Sequence, residues 1–250
     1  MMSVGTSGWH YRDWRGAFYP EKLPTRRWLE FYASRFGTVE LDNSFYRLPA
    51  VETFRAWRDV VPDDFVFTVK ASRYLTHYRR LRDPAEPVQR LMAAVAGLDE
   101  KLGPILLQLP PDLPADVDAL ANVLDAFGSR ARLVCEFRHD SWFCDEVYAL
   151  LRDHDVAVCL ADRRNQTTPL VRTASWGFVR MHEGTAEPRP HYGTRALQHW
   201  VDRIADLWDA DAACFVYFNN DHGACAPRDA AEFAALARDA GFRVGAIVNR

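Results

Sequence analysis

The chain lacks the cysteine pairs that build disulfide frameworks or zinc ribbons. Its five cysteines, Cys135, Cys144, Cys159, Cys214 and Cys225, are far apart, odd in number and without a CxxC spacing. Three of them lie inside apolar, strand-like runs, so buried free thiols in a reducing compartment are expected. There is also no HExxH or other local metal motif, and no glycine-rich phosphate turn. Gly5-Thr6-Ser7-Gly8 is too short for the dinucleotide fingerprint. No apolar run approaches the length that spans a bilayer. The first residues, Met1-Met2-Ser3-Val4-Gly5-Thr6, have no basic region leading into an apolar core, so they do not read as a signal peptide. These absences point to a cytoplasmic chain with no membrane partner. The formal charge of −3 does not favour a protein that coats nucleic acid generally.

What is present is a regular alternation. Eight apolar runs with strand character cover residues 4–7, 38–42, 65–70, 105–109, 133–137, 156–160, 177–182 and 214–218. Helical patterns fall between them at 26–36, 51–60, 115–127, 144–153, 194–208 and 227–240. Another is expected in the second half of 84–102, with Gly103 as its stop. Residues 43–49 and the stretch around 76–80 read as loops, 163–175 are polar and unpatterned, and 242–248 look like a short extra strand or tail. Near-continuous apolar strands alternating with helices argue for a parallel sheet covered by helices. Eight such units in 250 residues predict an α/β fold of one domain, a (β/α)8 TIM barrel with parallel strands over residues 1–250. A doubly wound sheet is the alternative.

The strands end in chemistry. The run Leu133-Val134-Cys135-Glu136-Phe137-Arg138 places Glu136 and Arg138 on one face, because side chains alternate along a strand. Glu40 with Asp42, Arg180 with His182, and Tyr217 with Asn219 repeat that i, i+2 form. In a barrel the active site lies at the C-terminal strand ends, so these residues should share one polar mouth with Lys70 and Gln108. We assign Glu136, His182, Lys70 and Glu40 as candidate catalytic groups for acid–base work and charge stabilisation. Arg138, Arg180, Gln108, Tyr217, Asn219, Asn220, Trp9, Tyr11, His77 and His139 are candidate substrate-binding groups. Arg138 and Arg180, steadied by neighbours two residues away, should carry the affinity for an anion, ahead of the solvated Arg79-Arg80 loop. The competing structural reading makes Glu136 and Arg138 part of an ion network capping the core. A metal held by Glu40, Asp42, Glu136, His139 and His182 is disfavoured by the cations of Lys70, Arg138 and Arg180, so no metal is expected. A glycosidase-like pair of Glu40 and Glu136 depends on their separation.

Several segments together are similar to a known family, the YecE-like proteins, a family built on a domain of unknown function. They are residues 5–11 (GTSGWHY), Val39-Glu40 with 45–49 (FYRLP), 67–71 (FTVKA), Thr76-His77, 107–111 (LQLPP), Glu136-Phe137-Arg138-His139 with Ser141-Trp142, and Phe218-Asn219-Asn220. The resemblance implies a (β/α)8 barrel and a site location, but no activity. The chain departs from the family at Asp42 and Asn43, where Asn and then Ser or Thr are frequent, and at Asp229, where Asn is frequent. The leading expectation is therefore an enzyme with an anion-accepting mouth, acting on a small phosphorylated or nucleotide-like substrate. The alternatives are a non-catalytic barrel that binds nucleic acid or a metabolite through rim aromatics and arginines, and a metal-dependent hydrolase or isomerase. No cofactor motif is legible.

Overall fold

The computed structural model describes residues 1–163 and 166–245. Its strands are β1 (Met2–Ser7), β2 (Thr38–Leu41), β3 (Val66–Lys70), β4 (Leu102–Gln108), β5 (Leu133–Glu136), β6 (Ala157–Val158), β7 (Leu160–Arg163), β8 (Gln166–Thr167), β9 (Gly177–Met181) and β10 (Cys214–Phe218). Neighbours from β1 to β6 pair in parallel in sequence order, β10 pairs with both β1 and β9, and β9 pairs with β7. The expected sixth strand is thus two pieces that share one position in the barrel. β6 bonds to β5, β7 bonds to β9, and the Cys159 N–H between them donates to Cys135 O at 2.8 Å. Counted that way, eight parallel positions close the (β/α)8 barrel.

The helices α1 (Trp28–Ala33), α2 (Asn43–Tyr46), α3 (Val51–Arg58), α4 (Ala85–Val95), α5 (Val117–Phe127), α6 (Asp145–Asp153), α7 (Thr194–Leu207) and α8 (Cys225–Asp239) cover the outside. Local chemistry sets their limits. In α5 the Asp116 carboxylate accepts from Ala119 N–H at 3.0 Å as an N-cap, and Leu120, Val123, Leu124 and Phe127 bury one helical stripe. Strand alternation then sorts the interior. Leu106, Val134, Phe178, Phe215 and Tyr217 pack together inside the barrel, and two residues beyond four of them stand Gln108, Glu136, Arg180 and Asn219. The period of two that builds the apolar layer therefore also builds the polar one above it.

Four segments differ from expectation. The helix expected in the second half of 84–102 starts earlier, as α4 from Ala85, because Pro84 and Pro87 are tolerated at a helix start, and a 3-10 helix (Ala96–Lys101) continues it through the second half. Gly103 lies inside β4 and not at a helix stop; a Cβ there would come within 2.5 Å of Val66 Cγ1, so its role is close packing. Residues 43–46 form α2, and 74–78 a single wide helical turn, where loops were expected. The unpatterned 163–175 segment contains β8, antiparallel to β7, and two threonines that complete the broken sixth strand. Thr168 Oγ1 accepts from Ala161 N–H at 3.1 Å; Thr173 Oγ1 accepts from Val158 N–H and donates to Val156 O, both at 2.8 Å. Side chains here satisfy backbone groups that a continuous ladder would otherwise have paired, which is why no hydrophobic period shows. In the expected tail, Met2 bridges to Val244; residues 246–248 lie outside the described residues. No helix among the described residues is long and apolar enough to cross a membrane.

Gly5 tests the packing between the first two strands. A Cβ built there would lie 2.3 Å from the Thr38 carbonyl oxygen, which is backbone and cannot swing away. Gly5→Ala should cost about 1–3 kcal/mol, the range for forced overpacking, read as a lower denaturant midpoint. Gly5→Ala with wild-type stability would contradict this register.

Candidate active site at the barrel mouth

Arg180, only 1% exposed, stands at the centre of the mouth. Its Nη1 donates to Glu136 Oε2 and its Nη2 to Glu40 Oε1, each at 2.6 Å, with Ser7 Oγ at 3.4 Å. Ser7 Oγ in turn donates to Glu40 Oε1 at 2.8 Å. Glu136 Oε1 accepts from Gln108 Nε2 at 3.1 Å and Arg138 Nε at 3.2 Å. Asp42 approaches Arg180 at 3.8 Å and Lys70 at 3.4 Å, and the Lys70 ammonium lies 4.4 Å from the Phe45 ring centre. His182 Nδ1 pairs with the Asn219 amide nitrogen at 3.0 Å, so Nδ1 is the acceptor and Nε2 bears the hydrogen. That Nε2 sits 3.8 Å from Glu136 Oε1 without a hydrogen-bond partner.

Asp221, from the loop after β10, joins Glu40, Asp42 and Glu136, giving four carboxyl groups beside the cations of Arg180, Lys70, Arg138 and Arg163, the last of which also acts on Glu136. Burial pushes Asp221 up to about 8, with Asp42 and Glu40 adding repulsion. Burial likewise raises Glu40, which shares its guanidinium with Glu136 and also feels Asp42. Glu136 goes the other way: burial opposes its charge, but Arg180, His182 and Arg138 together hold it well below the usual carboxylate range. Burial and the adjacent Arg180 lower His182 to about 3, so its imidazole is neutral. Glu40 Oε2, Asp42 Oδ1, His182 Nε2 and Asp221 Oδ1 are all buried with no hydrogen-bond partner among the described residues.

The other expected site residues divide. Tyr11 lines the wall, donating to Ser7 O at 2.6 Å, and its hydroxyl is raised by burial and by Asp221. His77 sits at the rim, its ring edge-on to Phe45 at 4.9 Å, lowered by burial and by Arg138 and Lys70. Tyr217 is not at the mouth: its hydroxyl bonds Thr38 at 2.6 Å and Thr68 at 2.8 Å in the interior, one layer below Asn219. Trp9 is buried edge-on against Trp57 at 5.4 Å, and His139 bonds Ser141 at 2.8 Å in capping a turn. Asn220 points to a second cluster, donating to Asp229 Oδ2 at 2.6 Å. Arg80 is paired to Asp112 and Arg79 to Asp83. Arg180 has both terminal nitrogens committed to carboxylates, whereas the Arg138 side chain is 29% exposed. The partners of Arg180 come from β2 and β5, 140 and 44 residues away, and not from the neighbouring His182. Asp221 and Ser7 escaped sequence reasoning; the polar run Asn219-Asn220-Asp221 after a strand was the available signal. The metal ligands considered for the mouth form no such group. Among the described residues, ligand atoms with metal-like spacing come from His191, Asp229 and Glu232.

A family model described as "Protein of unknown function DUF72" matches residues 3–246. The chain belongs to that family. The DUF72 chain is 26% identical over 256 residues to the UPF0759 protein YunF of Bacillus subtilis, covering 89% of this chain and 90% of that one. It is 32% identical over 116 residues to the UPF0759 protein YecE of Escherichia coli, covering 46% and 43%. A DUF72 family crystal structure from Thermotoga maritima superposes with a TM-score of 0.80 at 27% identity, covering 95% and 99%. One from Enterococcus faecalis gives 0.78 at 18% identity, covering 95% and 96%, a likeness of fold. These relatives confirm the barrel and the family; their descriptions carry no activity.

Two outcomes follow for the DUF72 mouth. Arg180→Met leaves Glu40 and Glu136 buried without their cation, so it should cost about 3–5 kcal/mol, the range for breaking a buried ion pair; a variant of unchanged denaturant stability would refute the triad. The second is pH dependence. Glu40 and Asp221 are raised in the folded state, so the folded chain holds more protons than the unfolded one at neutral pH. Their contribution is complete below the unfolded carboxyl range and is lost as pH rises through the folded values. His182, lowered in the folded state, acts oppositely, but only below about pH 6.5. Between about pH 6.5 and the Asp221 value near 8, stability should therefore fall as pH rises. Asp221→Asn should flatten that slope in melts taken at each pH.

Proposed function

We propose that the chain is an enzyme that transfers protons at the barrel mouth to and from a small anionic, phosphorylated or nucleotide-like substrate. The observation that carries this is the separation of carboxyl affinities around Arg180. Glu136 is held ionised, while Asp221 and Glu40 are raised toward or above neutrality. Carboxyl groups raised toward the working pH can both give up and take back a proton there, whereas one held ionised cannot. In this reading Asp221 and Glu40 exchange the proton, and Glu136 holds Arg180 and Arg138 in place. Glu136 is too weak a base for the catalytic role given to it from sequence alone. The substrate anion meets Lys70 and the terminal nitrogens of Arg138. The neutral His182 Nε2–H offers a fixed donor to a substrate oxygen, and Gln108, Asn219, Tyr11 and His77 complete the wall. The buried Glu40 Oε2, His182 Nε2 and Asp221 Oδ1, which lack hydrogen-bond partners, favour a polar ligand at the mouth, since a buried polar group without a hydrogen bond costs free energy.

Turnover assays on phosphomonoesters, sugar phosphates and nucleotides test this. A substrate should be found whose kcat/KM declines above about pH 8 as the acid is lost. Asp221→Asn should lower kcat by roughly 10²–10⁴-fold while keeping the thermal stabilisation given by phosphate. Arg138→Gln should lose that stabilisation. Anion binding at the mouth without turnover of any such compound, or full activity in Asp221→Asn, would overturn the reading.

A second reading, a nucleic-acid-binding barrel, has one observation in its favour. Tyr46 and Tyr78 are 67% and 64% exposed, and the Arg73 guanidinium lies over both rings at 5.3 and 5.2 Å. Exposed aromatics interleaved with arginine suit stacked single-stranded bases. If this is the function, a labelled single-stranded oligonucleotide should bind at physiological salt and be released by Arg73→Ala with Tyr46→Ala.

A further inference from the structure

We propose that His191, Asp229 and Glu232 form a binding site for a divalent transition-metal ion of the zinc–manganese class, outside the mouth cluster around Arg180. Nothing in this inference depends on the proton-transfer reading. Asp229 and Glu232 stand three residues apart on α8, which sets them on one helical face. His191 reaches them from the loop between β9 and α7. One ligand atom from each of the three lies within 4.8 Å of the others.

The cluster is short of positive charge. Asp229 is fully buried, and neither it nor Glu232 has a Lys or Arg ion-pair partner among the described residues; His191 is the contact Asp229 makes. At the mouth, by contrast, Glu40, Asp42 and Glu136 each have a guanidinium or ammonium within 4 Å. Burying a carboxylate without a cation is costly, and a second carboxylate beside it adds repulsion. A divalent ion would supply the missing charge to both groups.

The donor set selects the ion. One imidazole and two carboxylates suit zinc, manganese or iron, whereas calcium and magnesium favour all-oxygen shells. Outer partners orient the ligands as they do in metal sites. Asp229 Oδ2 accepts from Tyr192 N–H at 3.0 Å and from Asn220 Nδ2 at 2.6 Å, and the Thr194 hydroxyl donates to Glu232. Asn220 carries an independent sign of a further ligand. It is 2% exposed, its amide nitrogen is spent on Asp229 and Pro190 O, and its Oδ1 has no partner. A metal-bound water would provide that donor. The loop is preformed: Gly184 N–H donates to Pro190 O at 2.9 Å, and a Cβ at Gly184 would come within 2.1 Å of His191 O, so only glycine permits the fold-back that presents His191.

The expectation of a metal-free chain was argued from Lys70, Arg138 and Arg180, and none of these pairs with Asp229 or Glu232. Calorimetric and thermal-shift titrations of the chelator-stripped full chain with Mn²⁺ and Zn²⁺ test the site. One equivalent should bind and raise the Tm. Glu232→Gln, a half-buried change that should not disturb folding, and Asp229→Asn should each weaken binding at least about tenfold, while Asp221→Asn at the mouth should keep it. The inference is overturned if neither ion binds at micromolar concentration, if binding survives both flank variants, or if Asp221→Asn abolishes it. Absence of binding would leave His191 and Asp229 as a hydrogen-bonded pair.

Discussion

One guanidinium shared between two glutamates governs the upper half of this barrel. Arg180 draws Glu40 from β2 and Glu136 from β5 to a single point, so three strands that are not neighbours are tied across the lumen. A buried charge network of this kind is weak evidence for stability in itself, because removing three charges from water costs about as much as their attraction returns. What it fixes is geometry. Gln108, Arg138 and Ser7 take their positions from the same carboxylates, and the neutral state of His182 follows from its burial and from facing the arginines. The apolar layer beneath, with Tyr217 bonded to Thr38 and Thr68, gives the network a rigid floor.

That geometry pulls the mouth carboxyls in opposite directions, Glu136 down and Glu40 and Asp221 up, which a structural cap would not need. A cap would close with every carboxylate matched and every polar atom bonded. Here Asp221 stands behind Tyr11 without an ion-pair cation among the described residues, and Glu40 Oε2 and Asp221 Oδ1 have no hydrogen-bond partner. The same test separates the flank cluster from an ordinary surface group of acids, since its carboxylate at Asp229 is buried and its amide at Asn220 half used.

Much of the fold was legible because both of its periods are local. The i, i+2 pairs Glu136/Arg138 and Arg180/His182 announced strand ends, and the apolar stripe of α5 announced its helix. Glu40, Lys70, Gln108, Glu136, Arg138, Arg180, His182 and Asn219 do meet at one end, which alternation and the barrel rule together predict. Sequence separation hid the rest. Nothing near Arg180 in the chain reveals that its partners are 44 and 140 residues away, so its expected role as an anion receptor gave way to that of an internal tie. Tyr217 was misplaced by one layer, because the period gives the face and not the depth. The 163–175 segment was illegible for a physical reason: Thr168 and Thr173 do the work of a strand with hydroxyls, and hydroxyls leave no hydrophobic period.

The interrupted sixth strand has a bearing beyond topology. It is the one position in the barrel wall whose two halves lean on different neighbours, β6 on β5 and β7 on β9, with side chains filling the join. Glu136 ends β5 and Arg180 lies in β9, so the seam runs between the two ends of their ion pair. Elsewhere neighbouring strands hold each other by backbone bonds, with one register shift between Phe67 and Val69. Here the wall between Glu136 and Arg180 is closed in part by the hydroxyls of Thr168 and Thr173. The ion pair therefore bridges the stretch of wall that is held by side chains as well as by backbone.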